Sequence, residues 1–318
     1  MTGPLLVTGG TGLLGSAVRK ICPDAIFLSR TDGDLRDRSV AQRLIEKIRP
    51  AEILHLAGLV GGVKVNAAHN SRFLEDNALI NASVLSAARA LQVQRLIAVL
   101  SSCAFPLFQE RATTEDDLQT ALPYDGNAGY GHAKRMLDLH IRLVAKEEHW
   151  KWSTLTPVTM YGPQDSYDPE GGHVVGSLIR RCWAAKTTGT PYVVWGSGRA
   201  VRQFIFVDDV AGIAVDALQG NLDATTTIIA PDSGITIHTL AKAIADAMDY
   251  AGPIVFDPSQ PEGVRAKRLE SRTFSSRFPQ RRFTSLRNGL DQTVRWFIKQ
   301  SLSGDGVPRE PLPLCHQP

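Results

Sequence analysis

Leu5-Leu6-Val7-Thr8-Gly9-Gly10-Thr11-Gly12-Leu13-Leu14-Gly15 decides the fold. An apolar run of strand length enters a glycine-rich turn and leaves it as an amphipathic helix, in which Leu14, Val18 and Ile21 recur at helical spacing. Gly9, Gly12 and Gly15 leave room for a tight bend, for close backbone approach to a pyrophosphate and for helix-on-strand packing. The helix start then aims unpaired amides and a partial positive charge at phosphate oxygens. The null alternative, a plain glycine turn in another α/β protein, is weakened by the position of the pattern between strand and helix at the chain start.

Working outward, the first half repeats this alternation. Strands are predicted at Leu5–Thr8, Ala25–Leu28, Ile53–Ala57, Leu96–Leu100 and Ser153–Thr156, with helices over Leu13–Ile21, Ser39–Ile48, Phe73–Leu91 and Lys134–Glu148. The pattern predicts an α/β fold: a Rossmann-type doubly wound parallel sheet with a smaller C-terminal α/β substrate domain. After Gly162-Pro163 the texture changes. A polar stretch precedes a helix over Val174–Lys186 and a strand over Tyr192–Trp195, while Phe204–Val207 and Thr226–Ala230 read as late strands returning to the sheet. Ile237–Met248 and Leu286–Lys299 read as helices of the C-terminal region. The expected division is a nucleotide-binding domain over 1–163 joined by 204–231, a substrate domain over 164–203 and 232–300, and a disordered tail over 301–318.

The 318 residues suffice for one large core and a smaller one, and 43% apolar with 21% charged residues is ordinary for a globular protein. A net charge of +3 gives no global case for nucleic acid. A local excess of cations runs from Arg265 to Arg287 against the single acid Glu270, readable as a solvated face or as an anion site. Cys22, Cys103, Cys182 and Cys315 show neither metal-ligand spacing nor a disulfide framework, so no metal is expected and a reducing cytoplasm is the simplest compartment. Met1–Val7 lacks the pattern of a signal peptide, and no apolar run approaches the ~20 residues that span a bilayer.

The end of the second strand bears on the cofactor. An acid there would accept from a ribose 2′-hydroxyl, whereas this chain has Leu28-Ser29-Arg30-Thr31. A hydroxyl and a guanidinium suit a 2′-phosphate, which favours NADP(H), with Asp34-Leu35 near the adenine; alternatively Arg30 is an ordinary surface residue. The reactive centre is read from Tyr130-Gly131-His132-Ala133-Lys134 and the upstream Ser101-Ser102. Tyrosine is a poor acid at its ordinary pKa of ~10. A lysine one helical turn away lies on the same face and can favour the phenolate, and can also reach a nicotinamide ribose. Ser101, at a strand end, is placed to bond a substrate oxygen.

Thr8–Gly15, His55-Leu56-Ala57-Gly58, Ser101-Ser102-Cys103 and the Tyr130/Lys134 pair resemble the extended short-chain dehydrogenase/reductase superfamily. Within it the chain is similar to the GDP-L-fucose synthase family, from about residue 5 to about residue 298. The more specific supports are Val60-Gly61-Gly62, Ser101 to Pro106, Tyr161 to Asp165, Gly172-His173-Val174-Val175 through Arg181, Val194 to Gly198, Arg202-Gln203-Phe204, and Pro261-Glu262-Gly263 with Lys267. The resemblance implies a catalytic set of Ser101, Tyr130 and Lys134, with Cys103 as base and His173 as acid for inverting the third and fifth sugar carbons. Read alone, Cys103 is a core cysteine and His173 a surface histidine. The resemblance also implies NADP(H) contacts at Thr11, Leu13, Ala57, Pro157 and His173, and places Arg181, Trp195, Arg202 and Lys267 at the GDP part of a GDP-linked keto-deoxy sugar. It implies a homodimer through Phe73–Leu91 and Lys134–Glu148, although the sheet could use those apolar faces entirely. Departures are Pro157-Val158-Thr159 where the family has Pro-Thr-Asn, Phe105 for its tyrosine, and Asp165-Ser166 for Asp-Asn. The expected activity is an NADPH-dependent 3,5-epimerisation and 4-keto reduction. The alternatives are a related enzyme on another nucleotide sugar, such as a GDP-keto-heptose, a nucleotide-sugar 4-epimerase, or a non-catalytic NADP-sensing protein.

Overall fold

The computed structural model describes residues 3–303 apart from 109, 221 and 261; the expected tail from 304 onward, Pro261 and Cys315 lie outside the described residues. Elements follow in chain order as β1 (Leu5–Thr8), α1 (Leu13–Ile21), β2 (Ile26–Leu28), α2 (Arg38–Ile48), β3 (Glu52–His55), α3 (Val63–Ala68), α4 (Asn70–Ala90), β4 (Arg95–Val99), α5 (Ala128–Glu148) and β5 (Lys151–Pro157). The second half holds β6 (Thr159–Tyr161), α6 (Val174–Thr188), β7 (Tyr192–Trp195), β8 (Val201–Arg202), β9 (Phe204–Phe206), α7 (Val207–Gln219), β10 (Thr227–Ile229), β11 (Ile235–Thr236), α8 (Ile237–Ala247), β12 (Ile254–Asp257), α9 (Phe274–Arg277) and α10 (Leu286–Leu302).

Six strands form one sheet in the order β10-β5-β4-β3-β1-β2, and every pairing in it is parallel. Leu6, Val7, Ile53, Leu54, Leu96 and Ile97 are buried along these strands, as a sheet covered on both faces requires. Helix α1 packs with α7 on one face, and α2, α4 and α5 stand side by side on the other, so the sheet is doubly wound. The chain moves outward from β1 to β2, then returns past β1 to β3. The reversal opens a crevice at the carboxyl ends of β1 and β3, where ligands bind in such sheets.

The buried side chains fall into two main clusters. One fills the six-stranded sheet and its helices; the other joins α6, α8, α10 and the short strands β6, β7 and β9. Strand β9 corrects the expectation that Phe204–Val207 returns to the main sheet. It pairs in parallel with β6, Thr159 opposite Phe204 and Tyr161 opposite Phe206, while Val207 opens α7. Period-two alternation explains the placement: Ile205 buries in the first cluster, Phe204 and Phe206 in the second. The other late strand, β10, does join the sheet edge beside β5.

Helix α5 starts at Ala128 rather than at Lys134. Gly129 and Gly131 lie in its first turn, and each permits a close approach. A Cβ at Gly129 would fall on the Asn70 carbonyl, and one at Gly131 would lie 2.6 Å from the Cys103 carbonyl.

The basic stretch acquires specific partners. Arg272, Arg277 and Arg281 pair with Asp116, Asp223 and Asp216 at 2.7, 2.7 and 2.6 Å, tying this segment to the turn at 116, to α7 and to the loop after α7. Its other end is held by Gln203, which is 4% exposed. Gln203 donates to the Pro231 and Leu269 carbonyls at 2.7 and 2.9 Å and accepts from the Leu269 amide at 2.8 Å. Gln203→Leu leaves those buried backbone groups unpaired and should cost about 2–4 kcal/mol. Urea unfolding checks this, and an unchanged midpoint would refute the clamp.

Candidate active site

The glycine turn closes against β3. Gly9 has φ +72°, and a Cβ on it would lie 2.8 Å from the Ala57 amide nitrogen; one on Gly15 would fall on the Gly9 carbonyl. Gly12 caps α1 without any side-chain hydrogen bond, leaving the first amides of that helix directed at the crevice. A smooth backbone cradle at a helix start fits the diphosphate of a dinucleotide, and among the expected contacts Gly9, Thr11, Gly12, Ala57 and Gly15 stand around it. Leu13 and Leu35 are core residues. Ser29 sits at the end of β2, its hydroxyl bonded to Asp32 and Thr31, both at 2.8 Å. Arg30 is exposed beside it. The Asp34 carboxylate is taken by Arg36, which also reaches Asp76 on α4 at 3.0 Å.

Beneath the crevice runs a buried polar relay. Thr8 Oγ1 accepts from the Leu56 and Ala57 amides at 3.2 Å, so its proton goes to His55 Nδ1 at 2.8 Å. His55 Nε2–H then donates to Asn81 Oδ1 at 3.1 Å. Burial, with the Lys134 charge second, pulls the imidazole down to about 4. One turn earlier on α4, Asn77 accepts from the Leu59 amide at 2.9 Å and donates to the carbonyls of Leu59 and Phe73. Asn77 and Asn81, four residues apart, hold the loop after β3. Sequence reading did not single them out, because two asparagines on a helix are unremarkable without knowledge of which face is buried.

The reactive side chains meet above this relay. Tyr130 is 8% exposed and packs with Leu59 and Phe73, with Val65 and Cys103 against the same group. Its phenol hydrogen-bonds Ser101, which pulls its pKa down, but burial outweighs this and pushes the phenol well above its ordinary value, helped by Cys103. Lys134 is also buried, which draws its ammonium down to about 8. Its Nζ donates to the Val99 carbonyl at 2.7 Å and lies 5.7 Å from the Tyr130 ring centre. Burial is thus the largest influence on the phenol, and the cation is held at the end of β4. Pro157 ends β5.

Two arms of the second half complete the site. On one, His173 caps α6 and its Nδ1 lies 2.9 Å from Asp165 Oδ1. Its loop is fastened to the loop after β3, since the Gly62 amide donates to the Gly171 carbonyl at 2.9 Å, and Gly171 lies against Val65. The Arg181 guanidinium stacks 3.7 Å over Trp195 and donates to the Pro169 carbonyl. Both border a shallow concavity of about 330 Å³. On the other arm, Lys267 Nζ stands 3.5 Å from Cys103 Sγ, which puts a cation rather than a carboxylate beside the thiol. Arg202 is partly buried, and burial lowers its pKa against the opposing charges of Glu262 and Cys103. The structure thus gathers Ser101, Cys103, Tyr130, Lys134 and Lys267 into one group, and the loop leading to His173 meets that group where Gly171 lies against Val65.

Residues 5–228 match the model of the NAD dependent epimerase/dehydratase family. The chain belongs to this family. A GDP-L-fucose synthase of Dictyostelium discoideum is 30% identical over 92% of this chain and 95% of its own length. The GDP-L-fucose synthase of Escherichia coli is 27% identical over 93% of this chain and 96% of its own. A crystal structure of a GDP-L-fucose synthetase from Naegleria fowleri bound to NADP superposes with a TM-score of 0.86 at 32% identity, covering 95% of each chain.

The neutral relay gives the fold a pH signature. Folded His55 binds its proton only near pH 4, whereas in the unfolded chain it does so near ~6.5. As pH falls through that window the unfolded state takes up a proton that the folded state refuses, so stability falls with it. His55→Gln should flatten that part of the stability profile. Urea midpoints measured across the window check this, and parallel profiles for the two proteins would contradict it.

Proposed function

We propose that this chain is an NADPH-dependent epimerase-reductase that converts GDP-4-keto-6-deoxy-D-mannose to GDP-L-fucose. The observation that carries the reading is the grouping of a thiol, a phenol and its serine around the end of β4, with the loop that leads to His173 meeting Val65 of that group at Gly171. Full-length similarity to GDP-L-fucose synthases supports the sugar. NADPH, when bound, supplies the hydride for the keto carbon. The cradle of Gly9, Thr11, Gly12, Ala57 and Gly15 would hold its diphosphate, with Ser29 and Arg30 at the 2′-phosphate.

The chain's own residues move the protons. Cys103 removes the proton from a carbon beside the ketone, Ser101 and Tyr130 stabilise the enolate oxygen, and His173 returns a proton to the opposite face. Solvent takes the proton from the thiol and returns one to His173, a second inversion then repeats the exchange at the other carbon, and Tyr130 finally protonates the keto oxygen as it is reduced. A phenol raised by burial is protonated at neutral pH, which suits a donor. Arg181, Arg202 and Trp195 hold the GDP part. The first cluster is then the nucleotide-binding body, and the second, with 164–203 and 232–300, carries the sugar-nucleotide side.

Purified protein, NADPH and GDP-4-keto-6-deoxy-D-mannose in heavy water should consume NADPH and give GDP-L-fucose deuterated at the third and fifth carbons. Cys103→Ser should cut deuterium incorporation by about 10²-fold or more while leaving NADPH binding intact. Folded protein that binds NADPH but never oxidises it would reject the reading.

The same proposal includes a homodimer. Leu74 and Leu79 on α4, with Met136, Leu139 and Leu143 on α5, are 37–54% exposed on helices packed against each other, and a second copy is the natural cover for such a stripe. Met136→Glu combined with Leu139→Glu should yield a monomer by light scattering. A dimer that survives both charges points to another interface.

A further inference from the structure

We propose that Asp165 is the positioning residue of His173: it fixes the ring with the proton on Nδ1, so that Nε2 is the nitrogen that serves the sugar. The inference rests on the proposed role of His173 as proton donor.

Asp165 is 1% exposed in the turn after β6. Its Oδ1 takes the Ser166 amide at 2.7 Å and His173 Nδ1 at 2.9 Å. Its Oδ2 is buried without a hydrogen-bond partner. Among the described residues no lysine or arginine lies within ion-pair distance of this carboxylate; the imidazole does, and the two form an ion pair when the ring carries both protons. An ionised carboxylate accepts and cannot donate, so the shared proton belongs to Nδ1. A buried carboxylate with one bare oxygen is costly unless a cation stands beside it, and the protonated ring is the cation that this site offers. His173 also caps α6, where the helix's positive end disfavours a charged ring. Asp165 supplies the opposing charge.

The proton inventory closes. The Cys103 thiolate takes the proton from the carbon beside the ketone, and the electron pair of that C–H bond passes into the enolate. Nε2 gives its proton to the opposite face of the same carbon. The thiol is then protonated and the imidazole neutral, with Nδ1–H still on Asp165.

The test follows deuterium incorporation into GDP-4-keto-6-deoxy-D-mannose by the full chain with NADPH, comparing Asp165→Asn, His173→Gln and the double variant. Asp165→Asn should lower the maximal rate by about 10²-fold with KM changed less than about twofold, since the loss falls on the proton transfer and not on binding. The double variant should be no slower than His173→Gln alone, because Asp165 acts through the ring. A wild-type rate for Asp165→Asn, or losses that multiply in the double variant, overturns the assignment. If His173→Gln itself exchanges at the full rate, the proposed role of His173 fails instead. Nuclear magnetic resonance of wild-type protein carrying nitrogen-labelled histidine gives a reading independent of any variant's folding: the proton should reside on Nδ1, and a neutral ring protonated on Nε2 overturns the proposal.

Discussion

The site depends on one close contact, the first turn of α5 pressed against the turn that follows β4. With only hydrogen at position 131, the helix backbone comes down onto the Cys103 carbonyl, and at 129 it comes down onto the start of α4. Tyr130 lies between those two glycines and has no alternative place to go. Its burial, its bond to Ser101 and its proximity to Cys103 all follow from that contact. Lys134, one turn later on the same face, is carried to the open carbonyl at the end of β4. Catalytic geometry here is first a matter of backbone packing, with side-chain chemistry added to it.

That packing has an electrostatic cost, which the molecule distributes. Lys134 and His55 lie near each other out of water, and the strain is relieved on the histidine, whose full set of neutral hydrogen bonds makes it the cheaper group to leave uncharged. Farther out, Arg202 and Lys267 approach Cys103, and among the described residues no carboxylate is paired with the thiol; Glu262 opposes Arg202 and is tied to Ser197. A pocket arranged with spare positive charge suits a diphosphate ligand and a developing enolate.

Much of this was legible in sequence because the signals were local. The β1 turn and the alternation of apolar runs with helical periods fixed the parallel sheet, and the Tyr130/Lys134 spacing is a property of one helix face. What escaped depended on contacts between distant segments. Asp165 precedes its histidine by eight residues and lies in a turn, so no periodicity links them. Asn77 and Asn81 matter only because α4 is rotated to place them against the loop after β3. Phe204-Ile205-Phe206 has the composition of a core strand, and nothing local reveals that its two faces serve two different cores. The arginines between 265 and 287 read equally as a solvated face or an anion site until Asp116, Asp216 and Asp223 are brought to three of them from distant stretches of chain.

Strand β9 also says how the two halves of the proposed chemistry stay in register. The reducing set, Ser101, Tyr130 and Lys134, is built on β4 and α5, whereas His173 caps α6, whose Val175, Leu178 and Ile179 belong to the second cluster. A histidine placed on a separate body would drift relative to the thiol if only surface loops joined the two. Ile205 and its two phenylalanine neighbours prevent that, since any sliding of one core over the other would drag a buried side chain out of place on one side of β9. Gln203, next in line, pins the Lys267 segment to the same strand. The thiol's cation and the imidazole's helix are therefore referenced to one short stretch, 203–206, which lies outside the proposed reacting group and yet sets the distance across which the proposed proton transfers must run.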